Sequence, residues 1–179
     1  MLKGVLRPGS IIRVQTWDSE ARPPQAVIQV LGGAWPHKTG TVAGGGIDTI
    51  CVGPTDWLVL AADPDPAPLL RRLDVHFEDS AFRATNLSQA LIRVKIEGRE
   101  ARDLLAKGCA LDLHPQCCPP GQASRTRFAD VPVIVRCMRP STFECIVALS
   151  YADYFLSWLE DADLEFYGRP RLDGDEQWG

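Results

Sequence analysis

The sequence predicts an α+β fold, with mainly antiparallel sheets, packed helices and two small lobes. Three observations lead there. The first half is mostly of strand character with one helix. The second half, from about 81 to 161, follows the order ββαβββα. And 179 residues, 45% of them hydrophobic, are enough to fill a core, since a chain of this size buries roughly 70% of its unfolded surface. Strand runs beside a few helices favour helices packed on antiparallel sheet.

Residues 1–10 are a lead-in that ends at Pro8-Gly9. Residues 11–17 form a strand with neither face fully dry: Ile11, Arg13, Gln15 and Trp17 share one side, Ile12, Val14 and Thr16 the other. Arg22-Pro23-Pro24 breaks it. Residues 26–31, rich in Val and Ile, suggest a second strand. Residues 32–46 carry six glycines and form a loop, and 47–52 a strand. Gly53-Pro54-Thr55-Asp56 is a turn leading into the apolar run 57–62, a buried strand headed by a structural Trp57. Asp65 caps a helix with Pro66 in its first position. That helix runs to about Leu73, with Leu69, Leu70 and Leu73 on one face.

The second half has sharper signals. Residues 82–87 form a strand. In 91–97, Ile92, Val94 and Ile96 face in while Arg93, Lys95 and Glu97 face out. Ala101, Leu104 and Leu105 repeat at helical spacing, and Gly108 suits a left-handed helix stop. A loop with three prolines spans 109–121. Strands follow at 124–128, 131–138 and 143–149. Ser150, with Asp153 three residues on, opens a final helix in a variant capping box. Its apolar face holds Tyr151, Tyr154, Phe155, Trp158 and Leu159. The expected division is a strand-rich lobe over 1–78, the ββαβββα lobe over 79–165, and a polar tail over 166–179 that is mobile from about Pro170.

The formal net charge is -4 and the chain has no Lys/Arg cluster, so nucleic-acid binding is not expected. The apolar runs are far shorter than the roughly 20 residues of a membrane span, and the start has no signal-peptide h-region. The reading is a cytoplasmic protein with its six cysteines as thiols.

The search for chemistry yields no catalytic, cofactor-binding or metal-ligating residues. His37, His76 and His114 lie in no metalloprotease pattern, and Ser88 and Ser150 lack a nucleophile elbow. The glycine-rich loop around Lys38-Thr39 lacks phosphate-loop spacing and precedes a strand. Asp63 and Asp65 fit capping better than acid–base work. Cys109, His114, Cys117 and Cys118 are metal-ligand types within ten residues. They lack the repeated paired spacing of zinc sites, however, and adjacent Cys117 and Cys118 point apart.

Several segments, in order, resemble one family. GPTDWLVLAA at 53–62 is similar to the Gly-Pro-x-x-Trp-Leu segment of sarcosine oxidase gamma subunits. Asn86-Leu87-Ser88-Gln89 resembles their Asp-Leu-Ser segment, with Asn for Asp. IEGREARDLLAKGCALDL at 96–113 resembles their helix and loop. Pro120, Gly121, Arg125, Thr126 and Arg127 carry their P-G-x-x-x-R-T-R pattern, and 143–159 is similar to their closing strand and helix.

The resemblance implies a fold like the N-terminal part of the aminomethyltransferase of glycine cleavage and the folate domain of a tRNA-modifying GTPase. It also implies an assembly subunit without a cofactor, partnered by alpha, beta and delta subunits. FAD, FMN, NAD, tetrahydrofolate and zinc would sit on those other subunits. The complex would oxidise an N-methyl amino acid and pass the one-carbon unit to tetrahydrofolate, releasing hydrogen peroxide. A stand-alone folate-binding or aminomethyl-transfer protein is the alternative.

Overall fold

The computed structural model describes residues 5–6 and 9–167. Five strands, β2 (Ser10–Thr16), β3 (Val42–Gly44), β4 (Ile47–Gly53), β5 (Asp56–Ala61) and β6 (Phe82–Asn86), form one antiparallel sheet in the order β3-β4-β5-β2-β6. Five others, β1 (Val5–Leu6), β7 (Leu91–Glu97), β8 (Ala123–Phe128), β9 (Val131–Arg139) and β10 (Thr142–Ala148), form a second in the order β1-β7-β10-β9-β8. The helices are α1 (Gln25–Val30), α2 (Ala67–Phe77), α3 (Ala101–Gly108) and α4 (Ala152–Tyr167).

Strand alternation sets the layering, because successive side chains point to opposite faces. From β5, Trp57, Val59 and Ala61 join Ile12 and Val14 of β2 in a core closed by Val27 of α1 and Leu69, Leu73 and Phe77 of α2. From β10, Phe143, Cys145 and Val147 join Val94, Ile96, Val133 and Val135 in a core closed by Leu104 and Leu105 of α3 and Phe155 and Leu159 of α4. The opposite faces of the two sheets meet in a smaller cluster around Ile11, Ile50, Leu58, Leu60 and Ile146. The order is therefore helices, sheet, sheet, helices.

Two features tie the sheets together. Each half lends a strand to the other: β1 pairs with β7, and β6 pairs with β2. At one corner the glycine-rich segment is bonded to the start of β8, the Ala123 amide donating to the Gly40 carbonyl at 2.8 Å and Val42 to Gly121 at 3.1 Å. Gly9, at φ +144°, lies where a Cβ would collide with the Ala61 carbonyl and the Arg93 guanidinium. Only glycine adopts that backbone without strain.

Several expectations are corrected. Residues 26–31 do not form a strand; helix α1 covers Gln25–Val30. A short apolar run is ambiguous in period. Here Val27 and Leu31, four apart, are buried together in the α2-side core. Residues 5–6 are no mere lead-in, and 32–46 is not wholly loop, since it contains β3. Arg93 does not face solvent: it is 5% exposed, because that face of β7 is covered by the other sheet. Gly108 is not in a left-handed conformation; glycine is needed because a Cβ would strike the Phe128 ring. Helix α2 continues past Leu73 to Phe77. The final helix opens through a 3-10 turn, Leu149–Tyr151, without a side-chain cap, and runs past 161 to Tyr167. The expected mobile tail at 170–179 lies outside the described residues.

Candidate functional site between the sheets

The polar chemistry of the molecule is concentrated where the two sheets face each other. Glu144 of β10 is fully buried and holds Arg93 of β7 at 2.9 Å and Arg136 of β9 at 3.5 Å. Arg136 reaches across to Asp48 of β4 at 2.8 Å, and Arg93 donates to the Ala61 carbonyl of β5 at 3.4 Å. The chain Arg93–Glu144–Arg136–Asp48 thus spans both sheets. Ions taken from water are costly unless fully paired, and this pairing holds only when the sheets are in register.

A second cluster lies further along the seam. Asp56 of β5 accepts from Arg13 of β2 through both carboxylate oxygens, each at 2.8 Å. It also accepts from Arg125 of β8 at 3.0 Å. Beside it opens a cleft of ≈ 390 Å³ whose lining includes Arg13, Leu58, Leu87, Leu91, Arg125 and Ile134. A second hollow of ≈ 290 Å³, lined in part by Gly40, Cys51 and Arg125, lies under the corner that joins the sheets.

The residues weighed from the sequence do not converge on either cluster. Ser88 Oγ accepts the Ile11 amide at 3.0 Å, tying the 87–90 turn to β2. Asn86 accepts the Ser88 amide at 2.9 Å, a turn bond that an Asp in its place would make equally well. Asp63 accepts the Asp65 amide, and Asp65 that of Ala67, both at 3.0 Å. This is local capping, although the helix proper begins at Ala67. His37, His76 and His114 are all exposed and stand on three different elements.

In the 109–121 loop, Cys117 is exposed while Cys109 and Cys118 are buried, so the adjacent thiols do point apart. Cys117 hydrogen-bonds the Asp112 carboxylate and holds its pKa below the usual range, helped by the His114 amide. Burial, reinforced by the neighbouring Cys137, pushes the Cys118 thiol up to about 11. Arg102 fastens the loop from beneath, donating to the carbonyls of Leu113 and Cys118 with its guanidinium over the Phe143 ring. Among the described residues no group of three His, Cys, Asp or Glu could hold a metal ion. Nor is any described helix long and apolar enough to cross a membrane.

Sequence reading missed the seam. Asp56 lies in the Gly-Pro-x-x-Trp segment and Arg125 in the R-T-R segment, and the fold brings these two motifs together. Their presence in matched segments was the available signal; their contact was not. Trp57, by contrast, stands where expected: 5% exposed, its ring tilted against those of Trp35 and Phe82, its indole N–H donating to the Pro36 carbonyl at 2.8 Å.

Two antiparallel sheets packed face to face and sealed outside by helices define a class of α+β domain also found in a glycine cleavage aminomethyltransferase T from Bartonella henselae. That structure matches with a TM-score of 0.62 at 14% identity, over 88% of this chain and 44% of that one. The chain itself belongs to the sarcosine oxidase gamma subunit family, whose model matches residues 18–165. It is 30% identical over 143 residues to the sarcosine oxidase subunit gamma of Corynebacterium sp. (strain U-96), covering 79% of this chain and 69% of that protein. Against the subunit gamma of Corynebacterium sp. (strain P-1) the identity is 28% over 81% of this chain and 71% of that protein. A chain of the heterotetrameric sarcosine oxidase from Corynebacterium sp. U-96 superposes with a TM-score of 0.83 at 25% identity, over 95% of this chain and 86% of that one.

Proposed function

We propose that the chain is a non-catalytic assembly subunit of a heterotetrameric sarcosine oxidase–type flavoenzyme, working with alpha, beta and delta partners. The complex oxidatively demethylates an N-methyl amino acid and passes the one-carbon unit to tetrahydrofolate. FAD, FMN, NAD, tetrahydrofolate and zinc belong to the other subunits in this reading. The observation that carries it is the seam: its carboxylates, Glu144, Asp48 and Asp56, are all engaged by arginines. Carboxylates whose oxygens are taken up by guanidinium donors are engaged in structural contacts within and between the sheets. Six unpaired thiols support a reducing, cytoplasmic setting. Family membership over 18–165 favours the subunit over a stand-alone folate-binding protein.

Co-expression with the flavin- and folate-binding subunits should give one complex in gel filtration. Flavin absorbance and elemental analysis should place flavin and zinc on the other chains. Within that complex His114→Ala and Asp112→Ala should leave turnover nearly intact. A fall of about a hundredfold, the scale of a lost general acid or base, in a complex that still assembles would overturn the reading.

A further inference from the structure

The cleft beside Asp56 is open, apolar and unevenly charged. Its volume of ≈ 390 Å³ lies in the range of pockets that enclose a small group, roughly 300–1,000 Å³. Leu87, Leu91 and Ile134 on its walls are only half-buried, so apolar surface there is still wet. At its rim two cations share one anion. Arg13 spends Nε and Nη2 in a fork on Asp56. Arg125 engages Asp56 through Nη2 alone, and its side chain is 53% exposed. Its Nε and Nη1 have no bond to protein among the described residues. A guanidinium forks a carboxylate through Nη2 together with either Nε or Nη1, and with one Nη2 hydrogen on Asp56 the other fork stays open for two parallel bonds. Arg125 also lies on β8, the last strand of its sheet, between the bridges that hold the two ends of that strand.

We propose that this cleft receives a segment of a neighbouring subunit that presents an apolar side chain beside an Asp or Glu. The apolar side chain fills the space between Leu58, Leu91 and Ile134, and the carboxylate closes on Arg125. The three-residue group at the rim then becomes neutral: two arginines against two carboxylates. Such a pocket-filling anchor with a desolvated ion pair is the usual form of an interface hot spot. The proposal rests on the reading of the chain as an assembly subunit and adds where and by what chemistry it docks.

The co-expressed complex tests both. If the wild-type chain forms no complex, the assembly reading itself fails. If it does, Arg125→Glu should raise the dissociation constant at least tenfold in a dilution series by gel filtration. Arg125→Lys should still assemble. After carbodiimide coupling, mass spectrometry should then find the amine at position 125 joined to an Asp or Glu of a partner chain. A crosslink to Asp56 alone, or Arg125→Glu assembling as tightly as wild type, overturns the docking site. A small organic acid released from the purified complex on denaturation, with no partner crosslink at 125, also overturns it, because the cleft would then be a ligand pocket.

Discussion

The outer faces of the two sheets and the seam between them are built on opposite principles. On the outside, Trp57, Phe77, Phe82, Phe143 and Phe155 are buried under helices among other apolar side chains. In the seam, a thin apolar cluster is interrupted by buried Arg93, Arg136 and Glu144. Apolar burial is non-directional and tolerates volume-conserving exchange. A buried ion pair adds little net stability but loses its pairing if the sheets slide. The outer cores hold each sheet to its helices, and the seam sets how the sheets lie on one another.

The largest effects should come from removing one member of each environment. Trp57→Ala should cost roughly 3–5 kcal/mol, and Glu144→Ala a similar roughly 3–5 kcal/mol, since Arg93 is then left buried without its anion and Arg136 keeps only Asp48. Chemical denaturation measures both. Rescue distinguishes them. Replacing Arg93, Glu144 and Arg136 together by Met, Leu and Met should return stability to within about 1 kcal/mol of wild type. No comparable exchange should rescue Trp57→Ala. If the triple variant is as damaged as Glu144→Ala, the seam is held by more than charge pairing.

The next effect separates the two sides by pH. The core under α3 and α4 contains Cys109, Cys118, Cys137 and Cys145, and burial raises each thiol. For Cys118 the folded pKa is about 11 against an ordinary 9.0. The unfolded thiol ionises first, so stability is intact below pH 9 and falls as pH rises toward 11. One group moved this far accounts for about 2–3 kcal/mol across that window. Cys118→Ala should flatten the alkaline limb of a stability–pH curve; an unchanged limb would assign the fall elsewhere.

The smallest effect belongs to the rim of the cleft. Asp56→Asn removes the anion shared by Arg13 and Arg125, but both arginines reach water, their side chains being 36% and 53% exposed. The change should cost no more than about 1 kcal/mol by thermal unfolding. A loss as large as that of Glu144→Ala would mean that the rim, too, is part of the seam's framework.

Much of the strand pattern was legible in the sequence. Strands β5 and β7–β10 were expected within a residue or two of where they lie, because alternation and Pro/Gly/Asp turns are local signals. Helix α1 was not, since six residues of Val, Ile, Ala and Gln fit either period. Arg93 was misplaced for a different reason. Alternation shows that it lies opposite Val94 and Ile96, but not that a second sheet covers that face.

The sequence by itself determined the α+β class, the burial of Trp57, the turn roles of Asp63 and Asp65, and the family through its ordered motifs. Each depends on residues close together in the chain or on a linear order. Only the tertiary structure decided the exchange of β1 and β6 between sheets, the ion network and the cleft. Glu144 and Arg93 are 51 residues apart, Arg125 and Asp56 69, and Arg136 and Asp48 88. Pairing over such separations is set by how two sheets pack face to face, and no local periodicity encodes that packing.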